Sequence, residues 1–177
     1  MNDRGVTTAF ALGEAVGAAV SIALATGDDM LVGVIARPIE QTISWAMKNG
    51  GAYREGRRLS VNRELQIAAA PIMWCGGHEE SAERRARLRQ ALEGAGGACT
   101  EIGSAALECL AVAAGDAPAY VTPQTHPWDV AAGLLLVAEA GGRVTDFHGR
   151  PFHLATGDFL ASNGTTHELL LATLARV

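Results

Sequence analysis

The chain has 177 residues, of which 49% are hydrophobic and 19% charged, and its formal net charge is −5. That length and apolar content suit one globular domain, or one with a small part of another. The acidic balance argues against a nucleic-acid binder, and the longest uninterrupted apolar run, residues 130–138, is far too short to cross a bilayer.

The first third reads as β-structure. "AAVSIALAT" and "MLVGVIARPI" flank Gly27-Asp28-Asp29, a turn signal, and so predict an antiparallel pair. "TISWAM" follows, then Asn49-Gly50-Gly51. In "AYREGRRLSV" the central Glu55-Gly56 predicts a tight hairpin. The character changes near "NRELQIAAAP". "PIMWCGG", bounded by Pro71 and a glycine pair, reads as a short buried strand. His78-Glu79-Glu80 has no second histidine at a metal-ligand spacing and reads as a loop into the next helix.

That helix is "SAERRARLRQALEG", with Ala82, Ala86 and Leu92 on one side. Its cluster of Arg84, Arg85, Arg87 and Arg89 reads as a solvated face, with an anion-binding patch as the alternative. "ACTEIGSAALECLAVAAGD" places Gly103-Ser104 before a helix of small residues, and Gly115 at its C-terminal end. "APAYVT" is a strand. "PWDVAAG" opens a helix running through Glu139 and stopping at Gly141-Gly142. "RVTDF" and "FLASNG" are strands around a turn at residues 148–151, and "THELLLATLARV" is a last helix. Glu139 and Asp146 read as a helix-end and a strand-end residue. From about residue 66 strands and helices alternate, which predicts an α/β layer. The boundary divides residues 1–65, an antiparallel-sheet part, from an α/β part at residues 66–177. Cys75, Cys99 and Cys109 are odd in number and form no CxxC pair; without a signal peptide, they predict buried thiols in a reducing, cytoplasmic setting.

Asp129 carries the question of function. As an N-cap it accepts hydrogen bonds from first-turn amides and sits at the positive end of the helix dipole, with Trp128 a neighbouring core residue. The alternative is a site. Functional groups gather where strands end and helices begin, and a carboxylate there suits a hard cation such as Mg²⁺. A Ser104, His126, Asp129 triad is disfavoured because nothing places Ser104 on a nucleophile elbow. A lone His126 reads as a surface residue.

"PWDVAAGLLLVAEAGGRVTDFHGRPF" resembles the C-terminal signature of the inositol monophosphatase family, W-D-x-A-A-G followed by an apolar helix, E-A-G-G and a strand. "GSAALECLAVAAGDAPAY" resembles the family's G-S/T-A-A-L helix and next strand. "GGAYREGRRLSV" resembles its G-G-A hairpin, and "AVSIAL" the strand after its first metal motif. These matches run in order over almost the whole chain.

The resemblance implies a layered α/β/α/β/α fold, a homodimer, and Mg²⁺-dependent hydrolysis of inositol, sugar or nucleotide monophosphates. It makes Asp129 a metal ligand and catalytic residue. The family's D-P-I-D-G-T-T motif falls on "MNDRGVTTAF". One register puts Asn2 and Gly5 at the two aspartates; a shift by one recovers Asp3 but puts Val6 at the other. Asp3 is thus the second candidate metal ligand, and Thr8 matches the threonine that orients the nucleophilic water. The family's glutamate pair and first helices would lie upstream of Met1, so the resemblance implies a shortened chain with an incomplete metal site. Gly103, Ser104 and Ala105 match the segment lining the substrate pocket, although small residues at a helix start also serve close packing. Thr122 stands where inositol-selective members carry a substrate-binding glutamate. The alternatives to an active enzyme are a sugar-phosphate-binding paralogue and a truncated product. With its covering helices absent, the sheet around residues 20–24 and 31–35 is expected to expose an edge and an apolar face, through which the chain dimerises or aggregates.

Overall fold

The computed structural model describes residues 6–13, 17–77, 80–154 and 157–177, with side chains from residue 18 onward. Six strands form an antiparallel meander in chain order: β1 (Val6–Gly13), β2 (Gly17–Thr26), β3 (Asp29–Arg37), β4 (Thr42–Met47), β5 (Gly51–Arg54) and β6 (Arg57–Arg58). The pair predicted around Gly27-Asp28-Asp29 is β2 and β3, and Glu55-Gly56 turns β5 into β6. Strand β1, paired along its whole length with β2, adds a strand that residue patterning did not indicate.

A second sheet has the order β10-β11-β9-β7-β8. It contains β7 (Ile72–Trp74), β8 (Cys99–Thr100), β9 (Ala119–Thr122), β10 (Arg143–Thr145) and β11 (Phe159–Ser162). Strand β7 runs parallel to β8 and β9; the other pairs are antiparallel. Two helices, α2 (Ala105–Ala113) and α3 (Pro127–Glu139), fill the space between the sheets, while α1 (Ala82–Gly94) and α4 (His167–Leu174) cover the far side of the second sheet. The fold is α/β, and the described residues build a β/α/β/α stack.

The central layer explains two sequence patterns. Helix α3 is buried from Val130 through Val137 because it meets a sheet on each side, so it is apolar all round. The six-stranded sheet faces it with small residues. Ala23, Gly33, Ala46 and Ala52 are register partners across four adjacent strands. A Cβ at Gly33 would lie 2.8 Å from the Ala132 carbonyl oxygen, so this row is what lets α3 sit close. Ile35 also faces inward, whereas several other bulky residues of the same strands point the other way. Ile22, Leu24, Ile43, Trp45 and Met47 are 37–51% exposed on the outer face, and Trp45 stacks on Tyr53 at 4.7 Å.

Three expectations are corrected. Helix α1 buries Leu88 and Leu92 against the second sheet, whereas Ala82 and Ala86 are exposed: the two leucines carry the apolar area. Trp128 is 46% exposed rather than a core residue. Of the three free thiols only Cys109 is fully buried; Cys75 and Cys99 are half-buried.

Candidate functional site

Asp129 is not the N-cap of its helix. His126 holds that position with extended backbone, and Pro127 occupies the first turn. Proline's preset φ and missing N–H suit the start of a helix, which therefore begins before the aspartate. Asp129 is half-buried within the first turn, its amide donating to the His126 carbonyl at 3.1 Å. The carboxylate still lies at the positive end of the dipole. The His126 ring stacks on Trp128 with centroids 4.5 Å apart, which aligns two aromatic faces beside Asp129.

The start of α2 is built differently from expectation. Ser104 is the N-cap by backbone, but its hydroxyl makes no capping bond. Glu108, one turn into the helix and fully buried, reaches back instead. Its Oε1 accepts from the Ile102 amide at 2.8 Å and the Gly103 amide at 3.2 Å. The turn carrying Gly103 and Ser104 is thus held from inside the helix, and the Ser104 hydroxyl is left buried without a partner in the protein.

Other polar atoms gather beneath that turn. Glu108 Oε2, the Tyr120 hydroxyl and Thr122 Oγ1 are buried and lack a full hydrogen bond within the protein. Thr122 lies beside both the Cys75 thiol and the Tyr120 phenol. Burial raises the Glu108 carboxyl to about 7, against the opposing pull of the two amides. Burial also raises the Cys75 thiol and the Tyr120 phenol. A cleft of about 330 Å³ opens next to this cluster, lined by Cys75, Gly76, Gly77, Arg85, Arg89 and Glu101 among others. Asp129 does not line it.

Ser104 and Thr122 are both buried with unpartnered hydroxyls, Ser104 at the start of α2 with Gly103 and Ala105 on either side, and Thr122 at the end of β9 beside Cys75 and Tyr120. Thr8 lies in β1, opposite Ile22 in the ladder, and its side chain is outside the description. Asp3 lies outside the described residues. Among the described residues, no group of three or more His, Cys, Asp or Glu side chains is placed to hold a metal ion. Asp129 alone does not make a Mg²⁺ site, which needs several oxygens in near-octahedral array.

Arg85, Arg87 and Arg89 are exposed, as a solvated face requires. Arg84 pairs with Glu80 and with Asp158 at 3.0 Å, and Arg89 with Glu93 at 2.9 Å. Sequence reading missed Glu108, because a glutamate four residues after a serine cap reads as an ordinary first-turn acid. The available signal was its place in an otherwise apolar run, "AALECLAVAA".

The model of the inositol monophosphatase family matches residues 7–177. The chain belongs to that family. Among its relatives is a fructose-1,6-bisphosphatase/inositol-1-monophosphatase of Thermotoga maritima, 30% identical over 164 residues, covering 89% of this chain and 60% of the relative. An inositol-1-monophosphatase of Mesorhizobium japonicum is 33% identical over 162 residues with the same coverage. The solved inositol monophosphatase from Anabaena superposes with a TM-score of 0.83 at 30% identity, covering 92% of this chain and 67% of that one. The chain thus spans about 60% of the length of these curated relatives.

Proposed function

We propose that this family member acts on small phosphorylated metabolites, in the role of a Mg²⁺-dependent phosphomonoesterase for inositol, sugar or nucleotide phosphates. The observation that carries the reading is that the two helices packed together in one layer, α2 and α3, open on the Gly103-Ser104-Ala105 turn and the W-D turn. The names of the relatives, a fructose-1,6-bisphosphatase/inositol-1-monophosphatase among them, point the same way.

In this reading Asp129 is a metal ligand and Asp3 a second. Thr8 orients water, and Gly103, Ser104, Ala105 and Thr122 line the substrate pocket. A metal supplies an activated water and charge stabilisation in such reactions. The described residues contribute one candidate carboxylate to this reading, Asp129, and Asp3 lies outside them. What this chain's own residues supply is binding: buried hydroxyls for a polyol and a glycine turn that admits it closely. With Thr122 at the place of an acidic side chain, the pocket recognises hydroxyls through neutral groups. The same reading takes the protein to be a cytoplasmic homo-oligomer.

A second reading, phosphate-ester binding without hydrolysis, is favoured by Asp129 being the one candidate ligand carboxylate among the described residues. Phosphate release from a panel of inositol and sugar phosphates, with and without Mg²⁺, separates the two. Hydrolysis predicts Mg²⁺-dependent turnover that falls by about 100-fold or more in Asp129→Asn. Folded protein that binds these esters without releasing phosphate selects the second reading.

A further inference from the structure

We propose that Glu108 is a proton-linked positioning residue for the substrate-pocket wall at residues 103–105. One of its carboxyl oxygens holds the Ile102 and Gly103 amides, and the protonation of the other sets how firmly that turn is held. The inference rests on the reading of residues 103–105 as a pocket wall.

Three observations combine. First, the clamp replaces a cap. A helix-opening serine ordinarily satisfies the free amides of its own first turn, yet Ser104 makes no such bond, and Glu108 satisfies amides on the preceding turn instead. Holding those amides from within fixes Gly103, whose φ of +84° any side chain would strain. It also leaves the Ser104 hydroxyl unspent. Second, Glu108 Oε2 is buried and unpartnered, as are the hydroxyls of Tyr120 and Thr122 in the same region. An ionised oxygen in that position accepts a hydroxyl proton, whereas a protonated one donates, so the carboxyl state reverses the polarity available to the cluster. Third, the described titratable groups that act on Glu108 do not neutralise its charge. They are Glu101 in the loop before α2, Cys75 after β7, Cys109 on α2 and Tyr120 on β9, and none of these is a base. Burial raises the carboxyl to about 7, so the proton exchanges near neutral pH.

The physical consequence follows from charge assistance. Hydrogen bonds from amides to a carboxylate are stronger than those to a neutral carboxyl. The turn is therefore held more tightly above neutral pH and more loosely below it. Glu108→Gln keeps an acceptor oxygen for the two amides but cannot titrate.

The test follows the backbone amides of Ile102, Gly103, Ser104 and Ala105 by NMR from pH 5.5 to 8.5, in the wild type and in Glu108→Gln. The expected result is a shared titration with a midpoint near 7 in the wild type, absent from the variant. Amides that titrate equally in both proteins, or in neither, overturn the proposal. Calorimetry with inositol 1-phosphate and Mg²⁺ over the same range adds the functional arm. Wild-type affinity relative to the variant is expected to rise by about threefold or more from pH 6 to 8. A constant ratio overturns the link to substrate. Absence of binding by both proteins at every pH defeats the substrate reading instead, while the amide titration still decides the clamp.

Discussion

His167 is fully buried between two hydroxyls, Thr145 Oγ1 at 2.9 Å and Ser162 Oγ at 2.8 Å. Burial lowers its imidazole from 6.5 to about 4. The folded protein therefore binds fewer protons there than the unfolded chain between those values. The stabilisation is full above about 6.5 and is lost as pH falls towards 4. Relative to His167→Gln, the wild type is predicted to lose about 2 kcal/mol between pH 7 and pH 5, as read by urea unfolding. Equal pH dependence in both proteins would refute this. Glu108 works in the opposite sense. Its folded value is raised, so its contribution is full below about 4.5 and lost as pH rises through about 7. The comparison with a single variant is what separates the two trends.

At the scale of elements, contacts far apart in sequence fix how helices and strands meet. Glu139, read from sequence as a helix-end residue, accepts from the Asn49 amide at 2.7 Å and the Gly51 amide at 2.8 Å. It pins the β4–β5 turn to the end of α3. Glu139→Ala is predicted to cost about 1.5–3 kcal/mol, the scale of a charge-assisted pair of bonds. It should also speed hydrogen exchange at those two amides; unchanged exchange there would argue against the clamp. Gly133 matters for a different reason. A Cβ there would collide with the Cys109 Cβ and lie 2.9 Å from its Sγ, so this glycine sets the α2–α3 approach. Gly133→Ala is expected to destabilise by about 1–3 kcal/mol through overpacking, visible as a lowered melting temperature. The positions of the elements were largely legible in the sequence: glycine and proline punctuation marked the β2–β3 turn, the β5–β6 turn and the end of α3. Strand β1 was not, because its residues were read as a metal motif. Strand β8 is two residues long and carries no periodic signal of its own.

For the whole molecule, the outer face of the six-stranded sheet is the dominant surface feature. Ile22 and Leu24 on β2, and Ile43, Trp45 and Met47 on β4, are exposed large hydrophobics on the two strands that flank β3, with β1 the edge strand next to β2. Such a face is unfavourable in water and is a template for association. The chain is predicted to self-associate through it in light scattering, and Trp45→Lys with Met47→Lys to shift the population towards monomer. A monodisperse wild-type monomer would overturn that prediction.

The sequence by itself determined the family and the α/β class. Ordered motifs such as "PWDVAAG" and "GSAALE" depend on local chemistry, and punctuation by glycine and proline acts within a few residues. It also marked Ser104, Thr122 and Asp129, the first two of which are buried with unpartnered hydroxyls. Only the tertiary structure decided which face of the first sheet is inside, since its strands are apolar on both. It moved the cap from Asp129 to His126, and it turned Glu108 from a helix acid into the clamp of the turn before α2. These outcomes depend on burial and on partners supplied by other elements, as with Glu139 and the Asn49 amide, ninety residues apart. Such partners have no signature in local sequence, because the free energy of a buried carboxylate is set by what surrounds it after the layers have packed.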